Sequence, residues 1–437
     1  MQKLTRRNWL ATTGVLGTGF WIGQHSTSAA KTPGPNEKLN LAFIGVGGRG
    51  ADNVKGLKDQ NMVAFCDVDG ERARKSYEAF PKVKRFVDFR KMLDDVGSKL
   101  DGVVISTPDH MHFHPALAAI QMGKHVYLEK PMAHNIWETR TLCDMARKQK
   151  VATQLGVQRH TLENMHRVVE LIQAGTIGRV KEVHCWIGGN RGMPKIPSEK
   201  PSVPSHLNWK LWLGPARSSD YHPSVAPYGW RFWWDYGTGE MGNWGCHILD
   251  IPFWALGLKH PHKVSASGPK VDSLRTPKQM NSTLHFEESF LGEGKKNGPV
   301  VLHWDHAQSG PEILKKTGIS AKGNNTLFIG EDGMLVCGFG QRKLLPESKF
   351  GNHQSPEKSI KKSPGFYKEW VEACRGGEPA TCNFEYSGPL AETVMLANMA
   401  YRSGVNFNWD AKLLKADNDD AQRWVKETYA KGWEVQV

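Results

Sequence analysis

Leu39-Asn40-Leu41-Ala42-Phe43-Ile44-Gly45-Val46-Gly47-Gly48-Arg49-Gly50 is the stretch that decides the fold. An apolar run of strand composition leads directly into a GxGxxG turn that opens a helix, the context in which this motif signals dinucleotide binding. The glycines permit a tight turn and let a pyrophosphate approach the backbone, where the helix amino terminus offers unpaired N–H donors and partial positive charge. Gly45, Gly47, Gly48, Arg49 and Gly50 are therefore candidate cofactor contacts. Asp67 ends the second apolar run, about 20 residues on, where an acid grips the adenine ribose. Its carboxylate would accept from the ribose hydroxyls and repel a 2′-phosphate, which favours NAD over NADP, although Arg49 and Arg72 would suit a 2′-phosphate. The plainer alternative is a glycine-rich turn with an aspartate capping the next helix.

Working outward, short apolar runs alternate with helix-sized segments. Leu39 to Ile44, Val63 to Cys66, Arg85 to Val87, Gly102 to Ser106, His125 to Leu128 and Val151 to Leu155 read as strands. Glu71 to Phe80, Phe113 to Met122 and Ile136 to Gln149 read as helices between them, so residues 39–157 predict a doubly wound parallel sheet of the Rossmann type. From residue 158 the rhythm changes. A helix, Glu163 to Gly175, leads into strands at Val180 to Ile187, Lys263 to Ser267, Met280 to Phe286, Val300 to Trp304 and Thr326 to Ile329, which predicts a second α+β domain on a large, mostly antiparallel sheet over 158–437. The prolines of Met193 to Pro227 forbid regular structure there, and long ordered loops tend to carry function. Helices at Pro364 to Cys374 and Ser387 to Tyr401 precede a polar tail.

Composition narrows the remaining classes. The 437 residues carry a net charge of +13 spread along the chain, which argues against a nucleic-acid patch. Seven cysteines include no CxxC pair, so neither a zinc knuckle nor a disulfide framework is indicated; Cys374 and Cys382 are the one near pair. At the amino terminus Thr5-Arg6-Arg7-Asn8-Trp9-Leu10, a mildly apolar stretch to Gly23 and Ser28-Ala29-Ala30 read as a twin-arginine signal over 1–30, with a linker over 31–38. The Tat export machinery is then a partner and the periplasm the destination. The apolar stretch is too short to span a bilayer and no longer one follows, so no stable membrane span is expected after cleavage.

Two further motifs end strands of the first domain. Thr107-Pro108 follows the fourth strand and Glu129-Lys130-Pro131 the fifth, where the carboxyl ends of parallel strands border the ligand crevice. Thr107, Pro108, Glu129 and Lys130 are thus candidate contacts to the nicotinamide end, and a cationic Lys130 could hydrogen-bond a reacting hydroxyl. His110, His112 and His114 lie beside them at a spacing that matches no standard metal site, so helix capping or, for His112, cofactor contact is expected, and no metal.

Gly45 to Gly50, Thr107-Pro108 with His112, Gly123-Lys124-His125-Val126 and Glu129-Lys130-Pro131 together closely resemble the Gfo/Idh/MocA oxidoreductases. Glu170-Leu171-Ile172 and Gly175-Thr176-Ile177-Gly178 extend the resemblance over nearly the whole chain after Lys38, and the twin-arginine start with Trp209 to Leu213 and Trp230 to Asp250 is similar to an exported bacterial branch. The resemblance implies that Lys130 is catalytic and that His247, in Gly239-Glu240-Met241-Gly242-Asn243-Trp244-Gly245-Cys246-His247, is the proton acceptor. A neutral imidazole suits that task, though His247 could also be a structural residue packed beside Trp244. Asn243 departs from the family pattern, which commonly has Asp, so an auxiliary carboxylate is lost.

Trp230, Trp233, Trp234 and Tyr236, with Arg231 and Asp235, either stack and bond a sugar or form core or interface. Trp230, Arg231, Trp234, Asn243 and His160 join Lys130 and His247 as candidate substrate contacts. The resemblance implies oxidation or reduction of a secondary hydroxyl or ketone of a sugar, glycoside or cyclitol, in a homo-oligomer joined through the open face of the second sheet. An exported enzyme cannot draw on free NAD, so the cofactor is expected to be loaded before export and held tightly. The alternative is an NAD-dependent glycoside hydrolase working by oxidation, elimination, hydration and reduction, or a non-catalytic subunit that holds the cofactor.

Overall fold

The structure is a computed structural model that describes Gly34 and residues 37–307 and 310–435. The twin-arginine segment, its cleavage site and most of the linker lie outside the described residues.

The first sheet contains β1 (Asn40–Ile44), β2 (Asn61–Cys66), β3 (Lys84–Phe86), β4 (Gly102–Ile105), β5 (His125–Leu128) and β6 (Thr153–Leu155). All pairs are parallel, in the order β3-β2-β1-β4-β5-β6. Leu41 to Ile44 and the whole of β4 are buried, as strands covered on both faces must be, which is why they read as continuous apolar runs. Asp69, Asp88 and Asn135 cap the helices Gly70–Ala79, Phe89–Val96 and Ile136–Gln149 through backbone N–H bonds. Strand order reverses between β1 and β4, and such a switch point opens a crevice at the strand carboxyl ends.

The second sheet has nine strands, ordered β13-β12-β11-β7-β10-β9-β8-β14-β15. These are β7 (Val180–Ile187), β8 (Lys263–Ser267), β9 (Met280–Phe286), β10 (Val300–His306), β11 (Thr326–Gly330), β12 (Met334–Cys337), β13 (Arg342–Leu345), β14 (Phe407–Asp410) and β15 (Lys415–Ala416). Every pairing is antiparallel except β7 with β10. Along β9 and β10 buried and half-buried residues alternate, the pattern of a sheet with one face on a core. The helix Phe384–Ser403 packs against β8 and β9 and also touches the helix Ile136–Gln149 of the first domain.

The distal part of the chain closes the first domain as well as the second. Trp370, fully buried on the helix Phe366–Cys374, meets Tyr127 of β5 edge-on at 5.8 Å, and the Leu155 N–H donates to the Cys382 carbonyl. The polar tail expected after Tyr401 is instead structured. It supplies β14 and β15, buries Val425 and Trp433, and stacks Tyr429 on Phe113. Few apolar residues suffice there because they meet an existing core. All seven cysteines are free and buried.

Candidate active site

A cleft of about 550 Å³ opens at the β1/β4 switch point and runs from the glycine turn to the second domain. Gly45 has φ 78°, and a Cβ there would lie 2.7 Å from the Ser106 carbonyl oxygen; one at Gly50 would lie 1.8 Å from that of Gly45. Only glycine allows turn, strand and helix to close up at these positions. Asp67 Oδ2 accepts from the N–H groups of Val46 (2.9 Å) and Gly47 (3.2 Å), and Oδ1 from that of Asp69 (3.0 Å). Burial raises its carboxyl to about 6 against the pull of those donors. The second domain reaches this end through the long loop: Gly70 N–H donates to the His206 carbonyl and Asn208 N–H to that of Val68. A glycine cradle, an acid at the ribose position and a buried, partnerless Thr107 Oγ1 in the wall fit a dinucleotide.

At the other end, Lys130 and His247 share the cleft wall. Lys130 Nζ donates to the Asn243 carbonyl (2.9 Å) and to Asn243 Oδ1 (3.2 Å). The Asn243 amide is aimed by its other end, since Nδ2 donates to Glu240 Oε2 at 3.2 Å, and Glu240 is in turn held by Arg191 at 2.9 Å. A π-helical turn, Met241–Gly245, sets Asn243 and His247 in the wall together. His247 Nδ1 is buried without a partner. Burial, followed by the nearby Lys130, Arg159 and Arg49 cations, holds the imidazole well below its usual pKa, so it is neutral. Burial likewise lowers Lys130, against the acids Asp109 and Glu129.

With this geometry in place, comparison with known proteins identifies the kind of molecule. Residues 12–157 match the Gfo/Idh/MocA family model described as an oxidoreductase family with an NAD-binding Rossmann fold, and 176–283 match that family's C-terminal α/β domain. The chain belongs to the Gfo/Idh/MocA oxidoreductase family. Similar curated proteins include a myo-inositol 2-dehydrogenase of Thermotoga maritima, 26% identical over 32% of this chain and 42% of that one. A glycosyl hydrolase family 109 protein of Shewanella pealeana is 29% identical over 33% and 38% respectively. The chain thus spans about two fifths of the length of these relatives. Among solved structures, a WlbA dehydrogenase of Bordetella pertussis in complex with NADH and UDP-GlcNAcA superposes with a TM-score of 0.59, at 16% identity, over 86% of this chain and 99% of that one, a likeness of fold.

In this family member the cleft also gathers Gly45, Gly47, Arg49, Thr107, Pro108, Glu129, Trp230 and Arg231. Gly48 and Gly50 shape the turn behind it. Arg49 and Glu129 pair at 3.3 Å, and Glu129 Oε1 also takes Asn53 and Gln158, so this acid anchors the wall. Three expected contacts are corrected. His112 is buried with Nδ1 on the Pro131 carbonyl (2.6 Å) and Nε2 on that of Thr107 (2.8 Å), so it braces the two strand-end loops from behind. His160 is buried against Asp250 at 3.0 Å and stacked on Trp254, away from the cleft. Trp234 is core: its Nε1 donates to the Asp272 carbonyl and Arg402 covers its ring. Trp233 and Tyr236 are buried too, so of the aromatic stripe only Trp230 reaches the cleft.

His110 and His114 also bond carbonyls, of Trp212 and Trp433 respectively, and neither is a helix cap. Sequence reasoning missed Arg159, which lines the cleft beside His247, and Glu240, which aims Asn243. Arg159 sits two residues past the first domain with no motif around it. Glu240 lies three residues before Asn243, a spacing that brings the two side chains together on a helical turn.

Proposed function

We propose that the chain is an NAD-dependent oxidoreductase that interconverts a secondary hydroxyl and a ketone on a sugar, glycoside or cyclitol, with the cofactor held tightly. The observation that carries this reading is the meeting of a half-buried ammonium, Lys130, and a neutral imidazole, His247, in the cleft that the glycine turn and Asp67 begin. The inositol dehydrogenase among its relatives supports the substrate class.

NAD, when bound, supplies the hydride acceptor; Gly45 and Gly47 would seat its pyrophosphate and Asp67 its ribose. Lys130 uses two of its three N–H donors on Asn243 and keeps the third for the substrate oxygen. There it stabilises negative charge as the hydroxyl loses its proton. His247 takes that proton while the same carbon gives up hydride, and returns it when a ketone is reduced. The twin-arginine start supports export of the folded, loaded enzyme to the periplasm. Changing Arg6 and Arg7 to Lys should leave active protein in the cytoplasm, and unchanged periplasmic activity would remove that part of the reading.

The decisive experiment incubates purified protein with a panel of sugars, cyclitols and aryl glycosides while following bound cofactor and products. Reduction of bound NAD with formation of a keto product is expected. Hydrolysis of a glycoside with no net change in cofactor would replace dehydrogenation by the hydrolase route, in keeping with the family 109 name of one relative.

A further inference from the structure

The catalytic end of the cleft holds two cations that dehydrogenation of a neutral sugar does not require. Arg159 lies with Cζ 4.1 Å from the ring centre of Phe339 and 5.4 Å from that of Trp244. Among the described residues it has no side-chain hydrogen bond and no acid partner. Arg231 spreads over Trp230 at 4.2 Å and Tyr228 at 4.5 Å, and its one hydrogen bond runs to the Tyr228 carbonyl at 3.1 Å. Among the described residues it too meets no carboxylate within ion-pair distance. Elsewhere in the molecule partly buried arginines find acids: Arg49 has Glu129, Arg191 has Glu240, and Arg402 has Glu427.

The acids near this end are already engaged. Glu129 Oε1 takes three donors, and Asp109 Oδ2 accepts both the N–H (3.1 Å) and the hydroxyl (2.6 Å) of Thr238. The cofactor's phosphates belong to the other end, at the glycine turn, where the exposed Arg72 guanidinium lies against Gly48. Arg159 and Arg231 line the same cleft as Lys130 and His247, so both guanidinium groups belong to the end where the proton is transferred. With Asp109 and Glu129 taken up by protein donors, the cations Lys130, Arg159 and Arg231 in the same wall are left to draw a ligand of opposite charge. A guanidinium already laid on an aromatic face presents its planar fork of donors for bidentate capture of an oxyanion.

From this geometry we propose that the sugar acted on carries an anionic substituent, a carboxylate or a sulfate ester, held by Arg159 and Arg231 while Lys130 and His247 work on one of its hydroxyls. The proposal rests on the oxidoreductase reading above and deepens it. The rings beneath the two guanidinium groups, Phe339 and Trp230, would hold them in place for the ion pair.

The test offers the intact, cofactor-loaded protein matched pairs of probes: methyl glucuronide against methyl glucoside, methyl galacturonide against methyl galactoside, and glucose 6-sulfate against glucose. Binding is read by thermal shift and isothermal titration, and turnover by the near-ultraviolet absorbance of reduced cofactor. In at least one pair the acid should bind and turn over about 10-fold to 100-fold better than its neutral twin, the worth of hydrogen bonds to a charged group. The pair that does so names carboxylate or sulfate. Arg159→Gln and Arg231→Gln should each shrink that preference, and added salt should weaken it. The idea is overturned if no acid outbinds its neutral twin, or if the preference survives in both variants. Acids that bind preferentially while no sugar of any kind reduces the cofactor would leave the anion site standing and remove the oxidoreductase reading. Neutral sugars turned over as well as acids would do the reverse.

Discussion

The ammonium of Lys130 rests on Asn243, 2.9 Å from its carbonyl and 3.2 Å from its side-chain oxygen. The same amide donates to Glu240, whose side chain is fully buried and held by Arg191. An amide suits this position because it must accept from a cation on one side and donate to an anion on the other. A carboxylate could do only the first. The pair Asn243 with Glu240 thus stands where the family resemblance leads one to expect an Asp.

Asn243→Asp should set two carboxylates about 3 Å apart and lower stability by about 1–3 kcal/mol, the cost of leaving a buried polar group unsatisfied. Adding Glu240→Gln restores a donor and should recover most of that loss in urea unfolding. Equal stability of Asn243→Asp and the parent would show that the amide has no such bridging role.

Asp67 titrates at about 6 because burial disfavours its charge. The ionised form accepts from ribose hydroxyls, so NAD affinity should be flat above about pH 7 and weaken as the pH falls through 6, by up to about tenfold per pH unit. The preference over NADP should narrow in the same range. Asp67→Ala should bind NAD more weakly by ~1.5–3 kcal/mol with this acid limb abolished, as calorimetry at several pH values can check.

Loss of the proton acceptor in His247→Ala should cost about 10²-fold to 10⁴-fold in rate with cofactor and sugar still bound, and alkaline pH should recover part of it. Lys130→Met should be slow without that rescue, because it lacks a donor to the alkoxide. Near-normal turnover in His247→Ala on the true substrate would move the base elsewhere in the cleft.

Buried histidines make contributions of opposite sign to the pH dependence of stability, beside the carboxyls of Asp67 and Glu138, which burial raises to about 6 and about 7. Burial holds His110 down to about 3 and His114 and His306 to about 4, from an ordinary value of 6.5. The unfolded chain takes up these protons and the native state refuses them, so this stability is present above pH 6.5 and lost as the pH falls toward 4. His134 has the opposite sign. Burial opposes its charge, but Glu427 at 2.9 Å prevails and raises it to about 9, so its contribution is present below pH 6.5 and lost as the pH rises through 9. The histidine contributions together favour a melting temperature highest near pH 6.5, and His134→Gln should flatten the alkaline limb while leaving the acid limb of His110, His114 and His306 in place.

How much of this was legible in the chain follows from the range of the forces involved. The parallel sheet, the glycine turn and Asp67 are written in local patterns, apolar runs of strand length, a motif with fixed spacing and an acid at a strand end, because strand burial and turn sterics act over a few residues. Those features came from sequence alone, as did the mostly antiparallel second sheet, read from the run of longer strands after residue 158. The standing of His112, His160 and Trp234 was beyond such reading. A histidine bonded to two carbonyls and a tryptophan under an arginine look, in sequence, like ligands, since the groups that occupy them lie as far off as Asp250 and Arg402. Only the tertiary structure decided that the carboxyl-terminal residues close the first domain, that Glu240 aims Asn243 at Lys130, and that Arg159 and Arg231 face the cleft without an acid. Each depends on which distant groups packing brings within range: the i,i+3 spacing can pair Glu240 with Asn243, but it does not encode that the pair faces Lys130, 113 residues away.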